Sequence, residues 1–137
     1  MTATRPPDYG TPIALSDALR VIAAAEAQAR KMELQVTVAI VDPGGHLVCL
    51  HRIDNCQFGS IEVAEAKART AVAFRRPSKA LQDSLAQSPR LLALPAMPID
   101  GGLPIIVGGK IAGGIGVSGA KSEEDSIIAE AGLKALS

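Results

Sequence analysis

Two stretches of this chain change to a period of two and fold back on glycine, and they constrain what the rest can become. The first, "LQVTVAIVDPGGHLVCLHRI", runs from Leu34 to Ile53 and turns at Pro43-Gly44-Gly45. The second, "GLPIIVGGKIAGGIGVSG", runs from Gly102 to Gly119 and turns at Gly108-Gly109. Short β-branched runs on either side of a glycine turn read as antiparallel hairpins. Hairpin connections make an antiparallel sheet, and the helical segments between and around them must then lie against it. The expected class is α+β, in a single domain.

Outside the hairpins the apolar period becomes helical. Leu15, Ala18, Leu19, Ile22, Ala25 and Ala29 form one stripe of a helix from Ser16 to about Met32, with Ser16 or Asp17 able to cap it. A second helix is expected over Ser60–Phe74, capped by Ser60 and ended by Arg75-Arg76-Pro77, and a shorter one over Ser78–Gln87. "SPRLLALPAMP" carries three prolines and reads as irregular. The last helix is expected from Ser122 to Leu136, with Ser122 and Asp125 in a capping-box pattern. Residues 1–12, with Pro6, Pro7 and Pro12, read as a flexible N-terminal arm, leaving 13–137 as the domain.

Composition narrows the partners. The chain of 137 residues has no Trp, one Tyr and two Phe, so Ala, Val, Ile and Leu must fill the core. Fourteen basic residues balance fourteen acidic ones, and neither a basic face nor stacking aromatics suggest nucleic acid. No apolar run is long enough to span a membrane, and the N-terminus resembles no signal peptide. The expected location is the cytoplasm. Cys49 and Cys56 match no structural zinc spacing and are expected as reduced thiols.

Within the second hairpin, Gly114-Ile115-Gly116-Val117-Ser118-Gly119 spells G-x-G-x-x-G. A dinucleotide site needs that turn between the first strand and a helix, with an acid closing the next strand about 20 residues later. After Gly119 the chain holds only one helix, so NAD binding is not expected. Gly113, Gly114 and Gly116 instead belong inside a strand, where they mark close approach of another element.

"AIVDPGGHLVCLHRID", "AEAKARTAVAF", "GGLPIIVGGKIAGGIGVSG" and "DSIIAEAG", taken in order, resemble the GlcG/HbpS family, which includes the C-terminal domain of PduO. The resemblance runs from about Leu15 to Leu136. It implies a profilin-like fold, with an antiparallel sheet of about five strands flanked by helices, and a homo-oligomer. It also implies a small-molecule role: some members bind or help degrade haem, some are sensors, and many lie among catabolic genes.

Several residues are candidates for chemistry. On a regular strand His46 and His51 point to opposite faces and cannot share one metal ion within a chain. His51 shares its face with Cys49 and is the better axial ligand for haem. Arg52 offers a bidentate fork to a carboxylate, and Asp54 can orient it or act as a base. Lys67 stands on an alanine stripe with Ala64, Ala68 and Ala71, where it either snorkels or enters a pocket as a cation. Gly101 and Gly102 can offer backbone N–H groups to an anion, and Gly114 and Ser118 can reach the same ligand. Glu65 and Arg69 read as a surface pair. No nucleophile elbow or paired-carboxylate spacing supports a serine hydrolase or a glycosidase, and Cys56 is a weak nucleophile candidate.

The resulting expectation is a small-molecule-binding protein whose ligand is an organic anion, either a carboxylate metabolite or haem. Arg52, Lys67, Gly101, Gly102, Gly114 and Ser118 would hold it, and His51 would meet haem iron. The alternative is a cofactor-free hydrolase, tautomerase or lyase of a catabolic pathway, with Asp54 or His51 moving protons and Arg52 holding substrate. A module that only binds partner proteins would leave Arg52 and Lys67 as oligomer contacts.

Overall fold

The computed structural model describes residues 5–137; the first four residues of the expected arm lie outside the described residues. The first hairpin is β1 (Thr37–Val41) and β2 (Leu47–Arg52), the second β3 (Gly102–Val107) and β4 (Lys110–Ser118). They join through β1 and β4 into one antiparallel sheet in the order β2-β1-β4-β3. Helices α1 (Leu15–Lys31) and α4 (Ser122–Leu133) pack together on one face, and α2 (Gly59–Phe74) lies on the other. α3 (Ser78–Gln87) follows α2, and a 3-10 turn over Pro89–Ala93 interrupts the proline-rich connection. Among the described residues, no helix is long and apolar enough to cross a membrane.

The α+β class read from the hairpins is the one that forms, with four strands where about five were expected. β1 stops at Val41 while β4 runs on, and residues 8–13 occupy the space beside it. There the N–H groups of Gly10 and Ile13 donate to Ile111 and Ala112, but only Tyr9 makes a bridge, so no strand forms. The Tyr9 hydroxyl also donates to the Val72 carbonyl at 2.6 Å.

The two sheet faces differ in chemistry. Val38, Ile40, Ile115 and Val117 point toward α1 and α4, with Ile22, Ala25 and Ile128, and are fully buried. Each such Val or Ile contributes roughly 1.5–3 kcal/mol by leaving water. Leu15 and Leu19, expected on the buried stripe of α1, stay exposed, and Val21 is buried instead. The cause is α4: a Cβ at Gly132 would lie 3.0 Å from the Val21 carbonyl, so the helices meet along that line.

The opposite face is bare where Gly102, Gly114 and Gly116 lie under α2, with Val41 and Ile111 packing on Ala68 and Val72 beside them. A Cβ at these positions would fall 2.3 Å from the Lys67 oxygen, 2.7 Å from the Ala68 oxygen and 1.9 Å from the Ala64 oxygen, respectively. The helix backbone thus rests directly on strand backbone. Gly114 and Gly116 of the G-x-G-x-x-G pattern are a seat for a helix, as their placement within a strand implied.

The caps depart from expectation. α1 starts at Leu15 behind Ala14, and α2 starts at Gly59, which leaves Ser60 inside the helix. Before α4 the N–H of Lys121 donates to Glu124 at 3.1 Å, so Glu124 closes the first turn in place of Asp125. The tight turn of the first hairpin is held by Asp42, whose Oδ1 accepts the N–H groups of Gly44 at 2.9 Å and His46 at 3.0 Å. The His46 N–H is the largest cause holding the Asp42 carboxyl below its ordinary value, against slight burial. A carboxylate depressed on folding stabilises above its unfolded pKa, and that stability is lost as pH falls through the folded one. Asp42→Ala should therefore cost about 1 kcal/mol at neutral pH. Urea denaturation across pH should show the gap closing below 3.8, the ordinary value.

Candidate functional site

Five residues expected around an anion do converge beneath α2, but they form a closed network. The Lys67 side chain is 2% exposed; its Nζ donates to the Val117 carbonyl at 2.9 Å and to Asp125 Oδ2 at 3.1 Å. Asp125 Oδ1 accepts the Ala120 N–H at 3.1 Å. Burial is the largest influence on the Asp125 carboxyl and pushes it up, with Lys67 pulling it back. Gly101, at φ +126°, crosses so close that a Cβ there would lie 2.8 Å from Lys67 Nζ. The Gly102 N–H donates to Ser78 Oγ at 2.9 Å, and Ser118 Oγ lies 3.3 Å from Ser60 Oγ. Gly114 is covered by the Ala68 carbonyl. Lys67 therefore is no free cation for a ligand: its charge is committed to Asp125, which the sequence reading had assigned to a cap.

The second group lies on β2, an edge strand. Arg52 is exposed and stacks its guanidinium over the exposed Phe58 ring, 5.2 Å from the centroid. Asp54 is exposed in the following loop. The R-x-D spacing thus yields a cation–π contact rather than a paired acid and base. On the other face of β2, His51 Nδ1 lies 2.5 Å from Glu26 Oε1 of α1, and the imidazole is half exposed. Cys49 on the same face is half-buried, and burial pushes its thiol up, which disfavours the thiolate a metal would need. His46 sits on the turn with Nδ1 3.3 Å from Asp42, so the two histidines do not converge. Cys56 is buried beside the Thr37 hydroxyl at 3.4 Å. Among the described residues no cluster of three or more His, Cys, Asp or Glu could hold a metal ion.

The third feature was not foreseen as a site. A groove of about 410 Å³ runs between α2, the first hairpin turn and the loop at Pro95–Met97. Its walls are mainly apolar, and among the described residues Arg69 is the only ionisable side chain lining it. Arg69 also meets Glu65 Oε2 at 3.3 Å, the surface pair expected from spacing. What spacing did not reveal is that the proline-rich loop folds over beside it.

Known proteins share this architecture. The family described as "haem degrading protein HbpS-like" matches residues 13–134. Protein GlcG of Escherichia coli strain K12 is 35% identical over 100 residues, covering 72% of this chain and 75% of GlcG. The corrinoid adenosyltransferase PduO of Salmonella typhimurium is 31% identical over 146 residues, which is 99% of this chain and 44% of PduO. The crystal structure of HbpS matches with a TM-score of 0.87 at 34% identity over 99% of both chains. The crystal structure of a PduOC–haem complex matches with a TM-score of 0.84 at 27% identity, over 91% of this chain and 95% of that one.

Proposed function

We propose a binding function for this chain, which belongs to the HbpS-like family: it holds a small organic anion, and haem with its two propionates is the case best supported. The observation that carries this reading is the imidazole of His51. In the neutral ring, a carboxylate 2.5 Å from Nδ1 favours the tautomer with its proton on that nitrogen, because both atoms would otherwise be acceptors. The lone pair then sits on Nε2, as a metal-ligating histidine requires, with Glu26 as the partner that orients it. Bound haem would supply the iron that His51 ligates. Arg30, one turn beyond Glu26 on exposed helix surface, is the guanidinium group on the His51 side for a propionate. The similarity to HbpS and to the PduOC–haem complex supports the same ligand.

Arg52 and Phe58 lie on the opposite face of β2, so a haem held by His51 would not also stack on them within one subunit. Catalysis by Asp54 with Arg52 has less support, since the guanidinium faces an aromatic ring instead of the carboxylate. The reading further takes the protein as a homo-oligomer of the cytoplasm serving a catabolic pathway.

Hemin titration followed in the Soret region tests the proposal. A saturable band is expected for the native protein and for His46→Ala, and its loss for His51→Ala. Glu26→Gln, which keeps the shape and removes the charge, should weaken affinity about tenfold. A band indifferent to His51→Ala would remove His51 from the site.

A further inference from the structure

We propose that the groove beside Arg69 is a second binding site, separate from His51, and that its ligand is a small aliphatic monocarboxylate. A volume of about 410 Å³ lies in the range of small-molecule sites. Pro43, Val72, Ala73, Pro95, Ala96 and Met97 give it apolar walls without an aromatic ring, which suits a flexible aliphatic body better than a planar one.

The hydroxyl and several backbone N–H groups along the walls are already engaged, which narrows the donors left for a ligand head. Thr70 Oγ1 donates to the Ala66 carbonyl at 2.8 Å and accepts the Met97 N–H at 2.8 Å. The N–H of Gly44 goes to Asp42 Oδ1 and that of Gly45 to the Asp42 carbonyl. Arg69 remains. Its side chain is 48% exposed, and a single contact, NH1 to Glu65, leaves most of its five N–H donors available. A planar fork with spare donors over an apolar floor matches one carboxylate followed by an alkyl chain of about four to eight carbons, the length such a volume holds. Among the described residues no carboxylate, imidazole or thiol lines the groove itself, and Glu65 meets it through Arg69.

Glu65 makes the assignment testable in both directions. Its charge competes with an anion for the same guanidinium, so neutralising it should strengthen binding while removing Arg69 weakens it. Calorimetric titration of the full chain with hexanoate should give a Kd of about 1 mM, as expected for so small a ligand. Hexanol should bind at least tenfold more weakly. Arg69→Gln should lose at least tenfold in hexanoate affinity, and Glu65→Gln should gain several-fold. Ala73→Trp, at an exposed position on the wall, should abolish binding by filling the groove.

Equal binding of hexanoate and hexanol, no binding in the millimolar range, or indifference to Arg69→Gln would overturn the proposal. The hemin titration separates it from the haem reading. A Soret band kept in Arg69→Gln and Ala73→Trp leaves the two sites independent, as proposed. A band lost in Ala73→Trp would assign the groove to haem and overturn the monocarboxylate.

Discussion

Gly116→Ala should leave the protein unable to hold its native fold. The added Cβ would sit 1.9 Å from the Ala64 carbonyl oxygen and 2.6 Å from the Ala68 nitrogen, both backbone atoms of α2. A side chain can rotate away from such a clash; helix backbone cannot. α2 would have to lift from the sheet, uncovering Ala68, Val72 and Ile111 and pulling Lys67 from Asp125. The cost should exceed about 4 kcal/mol, above the usual range for overpacking. Gly59→Ala is the matched control: nothing lies within 4 Å of its Cβ position, and it opens α2. That change should stabilise the protein by about 0.5–1 kcal/mol, since Ala loses less freedom on folding. Thermal denaturation of both variants checks the pair, and a Gly116→Ala protein that melts like the native one would refute the backbone-to-backbone seat.

The second large effect is expected at the buried ion pair. Lys67→Met removes the cation and leaves the Asp125 carboxylate enclosed at 2% exposure, with the Val117 carbonyl losing its donor. Breaking one side of such a pair costs about 3–5 kcal/mol. For a chain of this size that lowers the melting temperature by roughly 10 °C or more. Replacing both members, Lys67→Met with Asp125→Leu, should recover much of the loss, because no charge is then stranded.

The pH dependence has a definite sign. Burial already pushes the Asp125 carboxyl up, and removing Lys67 removes the main influence pulling it down. A carboxyl whose folded pKa is raised loses stability as pH rises through that value. The deficit of Lys67→Met should therefore be smaller in mild acid than in mild alkali, as urea denaturation at the two conditions would show. An equal deficit at both would mean that the carboxyl does not titrate in the variant.

Much of the architecture was legible because it depends on neighbours in sequence. Alternation and glycine turns located both hairpins, and helical periodicity located four helices to within a few residues. Even the failed dinucleotide motif carried its own explanation, since glycines within a strand imply something lying against it. Local caps were less legible. Ser16, Ser60 and Ser122 all suit an N-cap, yet each lies within its helix, behind Ala14, Phe58 and Lys121.

The site residues divide along the same line. The opposed directions of His46 and His51 follow from the period of a strand, whereas the contact of His51 with Glu26 spans 25 residues and that of Lys67 with Asp125 spans 58. Arg69 was visible only as the neighbour of Glu65, because the loop that makes a groove beside it lies more than twenty residues further on.

By itself, then, the sequence determined the hairpins, the helices, the α+β class and the types of residue available for binding an anion. Those properties follow from backbone sterics and side-chain periodicity over a few residues. The tertiary structure decided which charges are committed and which remain free. It enclosed Lys67 with Asp125, turned Arg52 onto Phe58, and left Arg69 at a groove and His51 half exposed beside Glu26. That outcome depends on burial and on partners brought together by the fold, neither of which is encoded in local spacing.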